Sequence, residues 1–99
     1  MPDVGLVIKL EARPGKEGDL RAFLASAQPL AEAEPGTPIW LALETGPSTF
    51  WIVDAFPGDA ERQAHLDGAI PAALLPRADE LLAEPPTILP ATVLGAKPA

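Results

Sequence analysis

The stretch Thr49–Leu66, TFWIVDAFPGDAERQAHL, decides how the rest of the chain is read. Its first half alternates, so Phe50, Ile52, Asp54 and Phe56 fall on one side of an extended strand and Trp51 and Val53 on the other. A carboxylate therefore shares a face with aromatic and aliphatic groups, a placement that needs a partner or a cavity. Pro57-Gly58 then reverse the chain, and the polar segment that follows reads as a helix with Asp59 as its N-cap and the chain's only histidine, His65, on it. At 1.5 Å per helical residue the imidazole lies roughly 9 Å beyond Asp59. The reversal carries it back over the end of the strand, within direct or water-mediated reach of Asp54 if the helix turns that face inward.

On either side of this stretch the same two periods recur. Val4, Leu6, Ile8 and Leu10 alternate with Lys9 and Glu11, the pattern of a half-buried strand over residues 4–12. RPGKEGD supplies a Pro-Gly turn and acids suited to a helix N-terminus, and Leu20, Phe23, Leu24, Ala27, Leu30 and Ala31 recur at helical spacing. Pro29 predicts a kink or an early end near residue 28. After EPG (34–36), TPIWLALE forms a second strand with Trp40, Ala42 and Glu44 opposed to Ile39, Leu41 and Leu43, joined by TGPS to the third in a hairpin. Beyond the central stretch, Gly68 interrupts the helix, Pro71 falls in a first turn and Pro76 forces a further break. TILPATVLGAK (87–97) is the fourth strand, Pro90 marking an edge or a bulge.

The order β-α-β-β-α-β is the ferredoxin-like split βαβ plan of an α+β domain spanning residues 1–99, an antiparallel sheet with helices on one face. Strands one to three carry apolar residues on both sides, so the face away from the helices needs cover. A second copy packed sheet to sheet, a homodimer, provides it.

Composition narrows the function classes. Fourteen acids against seven bases give a net charge of −7, and the bases are scattered, which speaks against nucleic acid and against anionic membranes. Nothing approaches the roughly 18 apolar residues of a membrane span or the pattern of a signal peptide, so the expected location is cytoplasmic. The 13 prolines exceed the usual ~5%, yet a 47% hydrophobic composition is too apolar for disorder. A Ser48–His65–Asp54 triad fails on distance, since Ser48 and Asp54 lie about 20 Å apart along one strand at ~3.3 Å per residue. One histidine and no cysteine make a metal site improbable, and no glycine loop cradles a phosphate, so no metal and no cofactor are expected.

On the residues alone two readings stay open. Asp54 and His65 line one pocket between sheet and helix, or Asp54 braces the Pro57-Gly58 turn and His65 is a half-exposed helix residue. Trp40 and Trp51 read first as core or interface anchors.

The chain resembles the antibiotic biosynthesis monooxygenase family of dimeric α+β barrel proteins. The resemblance rests on RPGKEGDLRAFL after strand one, AEAEPGTPIWLAL entering strand two, and FWIVDAFPGDAERQAHL, in which Phe50, Ile52, Asp54, Phe56 and His65 match the family's pattern of alternating apolar residues, acid, aromatic and helical histidine. Asp54 stands where Glu is more usual and Phe56 where Trp is common. The resemblance implies a cofactor-independent monooxygenase acting on an aromatic small molecule, a quinol or polycyclic phenol. His65 would be base or anion stabiliser and Asp54 its orienting partner, with Phe50, Phe56, Trp40 and Ile52 forming the substrate cavity. The absence of tyrosine and the single histidine disfavour the haem-degrading branch. The alternative is a non-catalytic dimeric module that binds a small ligand or supports a neighbouring enzyme.

Overall fold

The computed structural model describes residues 2–98. Its elements follow the expected order: β1 (Val4–Glu11), α1 (Glu17–Glu32), β2 (Ile39–Glu44), β3 (Thr49–Phe56), α2 (Asp59–Leu66), α3 (Ala69–Leu74), a 3-10 turn (Leu75–Arg77), α4 (Ala78–Leu81) and β4 (Thr87–Thr92). The strands form one antiparallel sheet in the order β2-β3-β1-β4, open at both edges. This is the ferredoxin-like α+β plan.

Turn chemistry sets the chain reversals. Lys16 N–H donates to Arg13 C=O at 2.9 Å across Pro14-Gly15, and Gly15 takes φ +85°, the value that the third position of a type II turn requires. Directly paired residues share a sheet face, so the register places Val4, Leu6, Ile8 and Leu10 of β1 opposite Phe56, Asp54, Ile52 and Phe50 of β3, all toward the helices. Leu20, Phe23 and Leu24 of α1 and Leu74 and Leu81 beyond Gly68 close that layer. Each of these large apolar side chains stabilises the fold by about 1.5–3 kcal/mol. A smaller cluster of Ala27, Ala31 and Ile70 packs against Trp40.

Three expectations are corrected. Helix α1 does not end near residue 28 but runs through Pro29 to Glu32. Proline costs only its own donor there, the Ala33 N–H still reaches Pro29 C=O at 3.1 Å, and the buried Ala27 and Ala31 hold the last turn on the core. Asp59 is not the N-cap of α2: extended Gly58 occupies that position, and Asp59 instead accepts from Arg62 Nη2 at 3.0 Å. The fourth strand stops at Thr92 instead of running on to residue 97, while Pro90 lies on an edge strand, one of its two expected placements, and pairs in step with β1.

The other sheet face is apolar and uncovered within one chain. Register aligns Leu41, Val53, Val7 and Leu89 in a row across all four strands, with Leu41 50% and Leu89 51% exposed. Leu43 and Trp51 lie in the adjoining row. Among the described residues no helix is long and apolar enough to cross a membrane.

Candidate active site

Three segments converge on His65. Strand β3 presents Asp54 from its inward face, α2 presents His65, and the loop after α1 presents Glu34. The α2 axis runs back over the sheet after Pro57-Gly58, and His65 is its one buried residue, 4% exposed. Its Nε2 lies 3.0 Å from Asp54 Oδ2 and its Nδ1 lies 2.6 Å from Glu34 Oε1. The Phe56 ring packs on the imidazole at a centroid distance of 5.1 Å.

Local backbone geometry holds each acid. Gly5 sits beside Asp54, where a Cβ would stand 2.6 Å from the Asp54 carbonyl oxygen, so only glycine lets β1 approach β3 this closely. Glu34 is fixed by the hydroxyl of Thr37, which donates to Oε1 at 2.7 Å, and its Oε2 lies against Gly68, where a Cβ would be 3.3 Å away. Gly68 therefore breaks the helix and also leaves room for the carboxylate.

The electrostatics follow from this clasp. Burial is the largest influence on the imidazole and lowers its pKa, but the contacts with Asp54 and then Glu34 together outweigh it, and the pKa is raised above the ordinary 6.5. The short Glu34 contact is a charge-assisted hydrogen bond when the ring is protonated. The Asp54 contact is close but not aligned as a hydrogen bond, so both Asp54 oxygens are buried without an aligned donor. Trp40, opposite Asp54 in the register, likewise buries its Nε1 unpaired. Ionisable groups with perturbed pKa values concentrate at working sites, and His65 is one. Among the described residues no group of three or more potential metal ligands stands together.

His65 lines two spaces. On the side of α3 and β4 lies an apolar cavity of about 130 Å³ walled by Ile8, Ile52, Ile70, Leu74 and Ile88. On the side of the α1–β2 loop lies a cleft of about 320 Å³ where Glu34, Thr37 and Glu61 stand among Pro35, Ala60 and Ala64. Of the residues named as cavity-forming from sequence, Ile52 lines the apolar cavity and Phe56 backs the imidazole from the core. Phe50 and Trp40 do not reach it. Phe50 borders a groove with Arg21, whose guanidinium lies 5.8 Å from its ring, and Trp40 borders one with Gln28 and Ala31. Glu34 went unrecognised as a site residue because its partner is 31 positions away. The available signal was an acid in a loop stiffened by Pro35-Gly36, facing a histidine whose second nitrogen needed an acceptor.

No family model matches the chain, and no curated protein does. Among solved structures, NE2512, a protein of unknown function from Nitrosomonas europaea, is 54% identical over 98% of this chain and 94% of that one, with a TM-score of 0.96. Rv0793 from Mycobacterium tuberculosis is 18% identical over 96% of this chain and 98% of that one, with a TM-score of 0.85. A "putative antibiotic biosynthesis monooxygenase" from Nitrosomonas europaea is 16% identical over 93% of this chain and 99% of that one, with a TM-score of 0.84. The chain belongs to one family with NE2512 and has the α+β fold of the antibiotic biosynthesis monooxygenases.

Proposed function

We propose that the protein is a cofactor-independent monooxygenase acting on a hydroxylated aromatic, a phenol or quinol, bound in the apolar cavity beside His65. The observation that carries this reading is a greasy cavity with a single ionisable residue in its wall, held from behind by two carboxylates. A phenol that loses its proton can reduce oxygen itself, so the protein need supply only a dry pocket and a proton acceptor. The ring provides the electrons, one oxygen atom enters it as a carbonyl, and the other leaves as water. Nε2, whose Asp54 contact is not aligned as a hydrogen bond, is the nitrogen open to the hydroxyl proton, and the flanking carboxylates raise the proton affinity of the imidazole.

The same reading includes a homodimer. The row Leu41–Val53–Val7–Leu89 is too apolar to face water in a chain of this size, and a second sheet would cover it. The burial of His65 between two carboxylates favours a second reading, a ligand-binding module in which His65 is structural. Oxygen uptake with hydroquinones under air, for wild type and His65→Ala, separates the two. A rate in the wild type that the variant loses while staying folded supports the oxygenase; equal rates, or none, support the module.

A further inference from the structure

We propose that the cavity beside His65 takes an uncharged, single-ring aromatic ligand and turns away both acidic and polycyclic ones. This deepens the functional reading above and rests on its choice of cavity as the substrate site.

Size sets the first limit. About 130 Å³ is close to the ~150 Å³ of an apolar cavity that holds benzene, and well below the ~300–1,000 Å³ of sites for larger ligands. The floor cannot recede, because Ile8, Ile52, Ile70 and Leu74 are buried parts of a close-packed core. Only the mouth is adaptable, where Ile88 is 48% and Leu75 61% exposed. A second fused ring would have to lie outside, on one edge of that mouth.

Charge sets the second. No Lys or Arg lines the cavity, and two carboxylates stand behind His65, its one ionisable wall residue. An anionic ligand would lose its hydration with no counter-charge, in a chain of net charge −7. A cationic one would meet aliphatic walls, with the acids screened behind the imidazole. A neutral ring with its hydroxyl toward His65 incurs neither penalty.

Isoleucine methyls give a direct test, because four of the five isoleucines, Ile8, Ile52, Ile70 and Ile88, wall the cavity and Ile39 lies on the opposite sheet face. The full chain, labelled at isoleucine δ1 methyls, is titrated with hydroquinone, 4-hydroxybenzoate, tyramine and 1,8-dihydroxyanthracene. Hydroquinone is expected to move the four cavity methyls and leave Ile39 unmoved, and to bind at least about tenfold more tightly than the other three, with Ile88→Trp at the mouth abolishing the shifts. No shift with hydroquinone, shifts at Ile39 alone, or equal or tighter binding of the acid, the amine or the three-ring compound overturns the proposal. Oxygen uptake is read separately. Hydroquinone binding without uptake removes the oxygenase reading and leaves this one standing, while uptake with the three-ring compound alone does the reverse.

Discussion

Glu34 and His65, 31 positions apart in the chain, meet at 2.6 Å through Oε1 and Nδ1, and the contact turns a helical histidine facing one acid into an imidazole clasped by two. That changes what the ring can do. A histidine beside one acid is a simple base, whereas here two carboxylates together hold the imidazole's pKa above its ordinary value.

The clasp makes stability depend on pH in a defined direction. The folded-state pKa of His65 is raised, so its contribution is present in full below the ordinary 6.5 and is lost as pH climbs through the higher folded value. Urea unfolding of wild type and His65→Gln over that window should show the difference between them shrinking as pH rises. A difference that widens would mean the ring is buried neutral.

If the buried acid and imidazole are there for chemistry, the fold does not need them. Replacing the whole cluster, Asp54→Leu and His65→Leu together with Glu34→Gln so that no unpaired charge remains, should leave stability unchanged or raise it by about 1–4 kcal/mol in thermal or urea unfolding. A loss of several kcal/mol would show the cluster to be a structural brace.

Gly5 is where the sheet makes room for Asp54. A Cβ at 2.6 Å from the Asp54 carbonyl oxygen has only backbone to displace, so Gly5→Ala should cost about 1–3 kcal/mol. Gly68→Ala meets the carbonyls of His65 and Ala64 at 3.1 and 3.2 Å and Glu34 Oε2 at 3.3 Å, a milder overlap. Its larger effect should fall on the Glu34 contact, seen as a lowered His65 pKa. Equal stability of Gly5→Ala and wild type would contradict the close approach.

The open sheet face has its own readout. Val53 stands mid-row between Leu41 and Val7, so Val53→Asp should convert a dimer to a monomer in light scattering while leaving circular dichroism unchanged. A wild type that is already monomeric at micromolar concentration would refute the covered face.

Most of the architecture was legible because period and punctuation agree. The alternation in the first half of Thr49–Leu66 marked β3, and Gly68 and Pro76 marked the breaks after α2 and α3. Pro29 misled because tertiary packing of Ala27 and Ala31 overrides a single lost donor near a helix end. The site was half legible. Strand period and helix rise bring Asp54 and His65 together, since both are local quantities. Glu34 arrives through a loop whose path no period encodes. Phe50 and Trp40 share the inward face with Asp54, but a common face does not ensure a common cavity: Phe50 is two strand pitches away, and Trp40 is turned onto Ala27 and Ala31.

The most direct measurement is the NMR titration of the chain's only histidine, in wild type, Glu34→Gln and Asp54→Asn. The clasp predicts a His65 midpoint above 6.5 in the wild type and a lower one in each variant. A wild-type midpoint at or below 6.5, or one that neither substitution moves, would contradict it.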